Sequence, residues 1–553
     1  MPGQVRHCDV VILGSGLAGS VTASILARHG ADVVLIDATS HPRFAVGESV
    51  VTQMTEWLRI LSIRYDVPEL RSLLGVRAST RDIGPVFGTK RNFGFVKHRP
   101  GLEPDPHEAT QLAIPRFLPQ ASHLFRQDSD AFAFHVAARY GCTTRQNWRA
   151  ADIEPGTDGV TVTGQNGEAF RCRYLIDASG FRSPLAEKLE LRDKPARFKH
   201  HSRSMFTHYI GIKPFDEVSG HPAAYRPPSR WHQGTLHHLI DRGWFWIIPF
   251  DNYRASKNPL CSVGLTFDER TYPRSADLTT DEEFSRYLDL YPAIKRQFEG
   301  ARRVREWVAT GDRLQYSSKR SVGHRWCLMS HAAGFLDPLY SRGLSNTFEV
   351  INALAYRVLG ALDDDDFSAQ RFEYVERLEQ GLLHYNDELV NSSFISFSNF
   401  RLWNAVFRVW GFSTTLGGMR LTGARLKYQV SRDDQVFRDL EKGPHAGLWV
   451  PESDKLKDLL ETTAETCEKY EAGVLDGDAA ADVIFGLLRD SGIVDPVLGW
   501  KDPGQHYINP TIGKMARVMR WISSGEADPE MDAFGSHNLG ALLKVAMTGE
   551  NPL

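Results

Sequence analysis

The chain of 553 residues is longer than a single hydrophobic core usually grows, so at least two structural units sharing one site are expected. Its composition, 42% hydrophobic, 24% charged and 11% aromatic, excludes extensive disorder. A formal net charge of −3 gives no general attraction for nucleic acid or an anionic membrane surface, which leaves small-molecule chemistry as the default.

Residues 9 to 37 read as a βαβ unit: an apolar run from Val10 to Leu13, a glycine-rich turn, a helix from about Ser20 to Arg28, and a second apolar run from Val33 to Ile36. This first strand starts too early to leave room for a secretory signal, and no run approaches the roughly 18 apolar residues of a spanning helix. A cytoplasmic protein without membrane contact is expected. His98 to Glu108, with its prolines and charges, reads as a surface loop. Arg173 to Gly180 reads as a strand ending in a tight turn and Arg325 to Pro338 as a strand and loop, both returning to the first sheet. Between them, aromatic and alternating runs such as Ser204 to Ile212 and Gly234 to Ile240 suit a mostly antiparallel second layer.

From Leu344 the periodicity becomes helical, with Leu344 to Leu362 apolar on one face and the acidic run Asp363 to Asp366 after it. Phe394, Phe397, Phe400, Trp403, Phe407 and Trp410 recur at spacings of three or four and predict one helix face, either core or pocket wall. The expected division is a module over 1–365, with its β-rich layer at about 81–120 and 200–320, and a mostly helical region over 366–553. Six scattered cysteines form neither a disulfide framework nor a metal-ligand spacing.

The chemistry starts at Gly14, Gly16 and Gly19, which make G-x-G-x-x-G between a strand and a helix. The first glycine permits the turn, the second lets backbone approach a pyrophosphate, and the third packs helix on strand; Asp37, ending the second strand, can accept from ribose hydroxyls. Arg126 and Asp130, taken alone, are an ordinary i,i+4 pair. With the Asp177–Gly180 turn they resemble the FAD-dependent aromatic hydroxylases, which implies an α/β fold: a Rossmann-type FAD-binding domain, an antiparallel substrate layer and a helical C-terminal region.

Gly243 to Pro249 reads GWFWIIP, and on a strand Trp244 and Trp246 point to one face. As sheet core this is unremarkable. It also resembles the W-x-W-x-I-P motif of the flavin-dependent halogenases, in which Trp244, Trp246, Ile248 and Pro249 would keep the organic substrate away from the flavin. Other segments resemble that family in the same order. The run His41 to Ser49 (HPRFAVGES) is similar to its flavin strap, bringing Arg43, Gly47 and Glu48 to the cofactor; Ala333 to Gly343 (AGFLDPLYSRG) is similar to its flavin and halide loop, bringing Asp337 to the flavin and the backbone N–H groups of Arg342 and Gly343 to the halide. Lys90, in FGTKRNFGF, aligns with the family's active-site lysine, and Ser341 would position it or the oxidant.

The resemblance implies reduced FAD delivered by a separate NAD(P)H-dependent flavin reductase, oxygen, chloride or bromide, and a small aromatic substrate. Hypohalous acid would reach Lys90, acting as a chloramine-forming amine or as a hydrogen-bonding ammonium. Tyr340 stands where tryptophan-acting members have a glutamate, which implies an already activated ring such as a pyrrole or phenol. Longer stretches, GTKRNFGFVKHRPG and LHHLIDRGWFWIIPF among them, resemble the pyrrole-chlorinating branch of the pyrrolnitrin pathway. Two alternatives stay open: a flavin aromatic hydroxylase using NAD(P)H directly, and a non-catalytic FAD-binding protein. Ser330 and His331 replace the hydroxylases' Gly-Asp, which leaves the usual ribityl contact open.

Overall fold

The computed structural model describes residues 5–115 and 121–535; the expected β-rich stretch at 116–120 and the chain ends, 1–4 and 536–553, lie outside the described residues. The opening follows its apolar spacing: β1 (Arg6–Leu13), α1 (Leu17–Arg28), then β2 (Val33–Ile36), parallel to β1 with Val10 opposite Val33. Helix α1 begins at Leu17, three residues before the expected start, with Gly16 as its N-cap.

Next come α2 (Thr52–Arg64), α3 (Val76–Asp82), β3 (Gly88–Lys90), β4 (Asn92–Lys97), β5 (Ala109–Ala113), β6 (Ala121–His123) and α4 (Arg126–Arg139), the last packed on α1. Then β7 (Thr143–Arg145), β8 (Ala150–Pro155), β9 (Val160–Gly164) and β10 (Ala169–Asp177) precede the short α5 (Pro184–Lys188). β10 pairs parallel with β1, setting Leu13 opposite Asp177. The carboxyl ends of β1, β2 and β10 therefore meet at one edge, where open α/β sheets take their ligands.

The second layer is β11 (Ser202–Ile210), α6 (Phe215–Val218), β12 (Thr235–Ile240), β13 (Gly243–Pro249) and β14 (Leu260–Asp268), followed by α7 (Thr280–Leu290), α8 (Pro292–Phe298) and the edge pieces β15 (Arg302–Arg303) and β16 (Val308–Ala309). Its central order is β11-β14-β13-β12-β4-β5, antiparallel except for the parallel pairing of β4 with β12. β17 (Val322–Gly323) and β18 (Trp326–Leu328) return to the first sheet, ordered β17-β18-β10-β1-β2-β7.

The remainder is α9 (Gly343–Asp364), α10 (Glu373–Ser396), α11 (Phe400–Ser431), α12 (Gln435–Leu440), α13 (Asp454–Glu471), α14 (Gly477–Asp490), β19 (Tyr507–Ile508) and α15 (Ile512–Ser523). β19 pairs with β5, so the helical region contributes a strand to the second sheet. Period-two alternation sorts β13: Trp244, Trp246 and Ile248 pack toward α10 and α11, while Phe245 and Ile247 pack with Phe284, Tyr291 and Ile294 of α7 and α8.

The expected single aromatic helix face at 394–410 is corrected. Phe394 lies on α10, Phe397 is its C-cap, and Phe400 opens α11. The break comes at Asn399, whose side chain accepts from the Leu402 N–H at 2.9 Å and caps a new helix. All six rings are still buried in one cluster with the β13 tryptophans, because the turn keeps both helices on the same sheet face. No helix among the described residues is long and apolar enough to cross a membrane.

Candidate active site

At the sheet edge, Gly14 has φ +95°, and a Cβ there would lie 2.5 Å from the Ala178 carbonyl oxygen. A Cβ on Gly19 would meet the Gly14 carbonyl at 1.9 Å, so the helix can sit this close only with glycine. Gly16 leaves the first turn of α1 without a side-chain cap, and Arg43 and Asp130 converge on it, the Arg43 Nη2 standing 3.2 Å from where its Cβ would be. Among the described residues the buried Arg43 Nε has no hydrogen-bond partner. An open helix N-terminus, a glycine cradle and an unspent guanidinium N–H fit a pyrophosphate.

Asp37 accepts from the Ser15 N–H (2.9 Å) and hydroxyl (2.8 Å) and from the Thr39 N–H (2.9 Å), with Arg43 at 3.3 Å. Burial raises its pKa, but Arg43 and the backbone donors outweigh that and hold it below the usual carboxylate range. Arg126 and Asp130 are a buried bidentate pair (2.8 and 2.9 Å), not a surface one, and Arg126 also donates to the carbonyls of Val46 and Gly47. It thereby clamps the strap, whose Gly47 takes φ +91°. Glu48 is buried and paired with His208 Nε2 at 2.7 Å.

Asp177 and Asp337 differ from these, since both spend their carboxylates on the protein itself. Asp177 accepts from the Ser179 N–H, the hydroxyls of Ser179 and Ser183 and the Leu185 N–H, fixing the turn after β10. Asp337 accepts from Ser202 (3.2 Å) and the Leu339 N–H (3.0 Å), with His200 Nε2 at 3.3 Å.

Lys90, at the end of β3, is fully buried. Its Nζ donates to Ser49 Oγ at 2.5 Å and Ser341 Oγ at 3.4 Å and lies 3.4 Å from the centre of the Phe93 ring. Ser341 also donates to Ser49 at 2.9 Å. Burial alone pushes the Lys90 amine well below the usual lysine range; among the described residues no carboxylate opposes it.

The hydroxyl directions are fixed from the other end. His123 Nδ1 faces the Pro249 carbonyl at 2.8 Å and must carry the proton, so Nε2 accepts from Thr235 Oγ1 (3.2 Å), which in turn accepts from Ser49 (2.7 Å). Burial holds His123 at about 3, hence neutral. The chain of donors therefore runs from Lys90 through Ser49 and Thr235 to His123. Ser49, Thr235 and His123 were not singled out in the sequence, and only Ser49, within the strap, lay inside a recognised motif.

Trp244 and Trp246 are 5.4 Å apart, centroid to centroid. Trp246 adjoins Phe206 (6.2 Å), which stacks on Phe44 of the strap (5.3 Å), and Trp244 adjoins His237 (5.2 Å), which lies 6.3 Å from Phe93. A continuous line of rings thus joins the strap to Lys90. Trp246 donates to Ser262 at 3.2 Å, and bare Gly264 lies beneath its ring, where a Cβ would come within 2.1 Å. Ile248 extends the same buried face, and Pro249 ends it with the carbonyl that orients His123.

Ser341 (φ +54°) precedes Arg342, the N-cap of α9, and Gly343; this first turn has no side-chain cap. Tyr340 stacks on Trp410 at 4.6 Å and shares a 2.6 Å hydrogen bond with Ser393, filling its position with a neutral ring. His331 lies 3.0 Å from where a Cβ of Gly343 would be, and burial lowers it to about 4.

A family model described as an FAD binding domain matches residues 7–257. Tetracycline 7-halogenase of Kitasatospora aureofaciens is 51% identical over 96% of this chain and 95% of its own. Monodechloroaminopyrrolnitrin halogenase PrnC of Pseudomonas fluorescens is 42% identical over 98% and 96%. Among solved structures, halogenase PltM in complex with phloroglucinol and FAD superposes with a TM-score of 0.88 at 33% identity, covering 91% of this chain and all of that one. The chain belongs to the flavin-dependent halogenases, oxidoreductases built on an FAD-binding domain.

Proposed function

We propose that this protein transfers an electrophilic halogen, chlorine or bromine, to an electron-rich aromatic ring, with Lys90 as the catalytic amine. The observation that carries the reading is Lys90 itself: buried, hydrogen-bonded among the described residues to hydroxyls, and joined to the strap by a line of aromatic rings. FAD, supplied reduced by a separate NAD(P)H-dependent reductase, would furnish hypohalous acid from oxygen and halide. Gly14, Gly16, Gly19, Asp37 and Arg43 would hold its dinucleotide end, and Arg126, Asp130, Gly47 and Glu48 would hold the strap over it. Asp177 and Asp337 would act indirectly, by shaping the turns that face the cofactor.

Halide would rest on the Arg342 and Gly343 N–H groups at the uncapped start of α9. Trp244, Trp246, Ile248 and Pro249 would keep the substrate from the flavin. A neutral Lys90 donates two N–H bonds, to Ser49 and Ser341, and keeps its lone pair free to take the halogen from hypohalous acid, whose O–X bond breaks to release hydroxide that leaves as water with one amine proton. The orienting chain to His123 keeps those two hydroxyls from donating back to the amine.

The ring to be halogenated is a phenol of a polyketide-type skeleton, a reading supported by the 51% relative that acts on tetracycline. A pyrrole is the second reading, favoured by the 42% relative and by the absence of a carboxylate at Tyr340. The test supplies a flavin reductase, NADH, FAD, oxygen and bromide with a panel of phenols and arylpyrroles, and reads isotope patterns by mass spectrometry. A brominated product is expected; oxygen insertion without bromide would overturn the proposal.

A further inference from the structure

Gly343 opens α9 with backbone angles open to any residue, so its missing side chain serves space rather than conformation. The space goes to His331: a Cβ on Gly343 would meet the imidazole at 3.0 Å from Nε2 and 3.3 Å from Cε1.

The backbone around His331 is held from three sides. Ser330 donates its N–H to the Glu379 carboxyl of α10 at 2.5 Å, and its hydroxyl shares a hydrogen bond with Thr347 of α9. The His331 carbonyl accepts from the Tyr316 hydroxyl at 2.7 Å, and Phe335 meets the ring edge-on at 5.2 Å. Ser330 takes φ +57°, a left-handed conformation that a serine keeps only where such bonds impose it.

All of this fixes the ring without using its polar atoms. Among the described residues neither nitrogen of the half-buried His331 ring makes a hydrogen bond. The Nε2 edge faces the first turn of α9, which has no side-chain cap. Burial, reinforced by the Arg126 guanidinium, lowers the ring to about 4, so it is an uncharged imidazole that can carry its one proton on Nε2.

We infer that the His331 Nε2–H is a third halide donor, completing with the Arg342 and Gly343 backbone N–H groups an anion site at the start of α9. The inference rests on the halogenase reading above and adds the side chain that holds its anionic substrate. A halide leaving water gives up a shell of donors, and two amides replace few of them. The imidazole N–H supplies another without adding charge. A guanidinium or ammonium in its place would bind the ion more strongly and make it less nucleophilic.

The test uses the full-length holoenzyme loaded with FAD and titrated with bromide. Bromide affinity is read from the change in flavin absorbance, FAD affinity by equilibrium dialysis, and turnover by mass spectrometry. His331→Phe keeps a ring and removes the N–H. It is expected to raise Kd for bromide about tenfold or more, to raise KM for bromide by more than it lowers kcat, and to leave FAD affinity as it was. His331→Gln, which returns a donor, should recover most of the loss. Where His331→Phe is too unstable to load FAD, His331→Met set against His331→Gln gives the same contrast. Unchanged bromide affinity in the donor-free variants, or an equal loss for FAD and bromide, would overturn the assignment. Bromide binding that depends on His331 in an enzyme that gives no brominated product would overturn the halogenase reading and leave the anion site standing.

Discussion

Fully buried Lys90 donates a 2.5 Å hydrogen bond to half-buried Ser49, across 41 residues of sequence. An amine there is costly to charge, and its reactivity and its effect on stability come from the same desolvation. Lys90→Met is therefore expected to abolish halogenated product, leave FAD binding and oxidation of reduced flavin intact, and hold or raise the melting temperature. Mass spectrometry, flavin titration and calorimetry check the three arms. A melting temperature several degrees lower would show that the amine stabilises the fold.

Trp246 is anchored by Ser262 and seated over Gly264. Trp246→Ala should cost about 3–5 kcal/mol from the cavity it leaves. Trp246→Phe should cost less and lower the yield of halogenated product per flavin oxidised, as the separation weakens. The ratio of product to NADH consumed measures this, and a ratio unchanged in both variants would remove the wall from the mechanism.

Asp130→Asn removes the partner of a buried guanidinium. The Arg126 charge then stays buried beside the strap, a loss of about 3–5 kcal/mol. FAD affinity should fall with it, because Arg126 also holds the Val46 and Gly47 carbonyls. Equilibrium dialysis with FAD reads the loss, and Asp130→Glu should restore part of it.

Burial holds His123, His237 and His238 each at about 3, so these imidazoles are neutral in the folded protein. In the unfolded chain they take protons below about 6.5. The stability they contribute is fully present above that pH and is lost as pH falls from about 6.5 toward 3, with a slope approaching about 4 kcal/mol per pH unit. Melting temperatures should drop steeply between pH 6.5 and 5, and His238→Gln should flatten the curve. A level profile across that interval would show that these rings are hydrated and free to titrate.

What could be read from the chain depended on covalent distance. The glycine turn, Asp37 and the β13 tryptophans are local patterns, and spacing alone places them on a turn, a strand end and one strand face. Lys90 and Ser341 were recognisable by family likeness, but their contact spans 251 residues. The partners that orient Lys90's hydroxyls, Thr235 and His123, lie outside every stretch that carries the family likeness. Helical periodicity alone also ran through the boundary at Asn399, since a capping turn can preserve ring spacing while redirecting the axis. Arg126 and Asp130 carried the sequence signature of a solvated pair, and only burial shows that they serve the strap.

The pairing of β19 with β5 has a consequence for biosynthesis. Tyr507 and Ile508 lie opposite Gln111 and Leu112, nearly four hundred residues upstream. During translation the nucleotide-binding sheet can close early, once β18 has emerged, whereas the sheet carrying the tryptophans keeps an unpaired edge at β5 until residue 508 leaves the ribosome. The nascent chain would thus assemble its nucleotide-binding sheet first and complete the tryptophan-bearing sheet last.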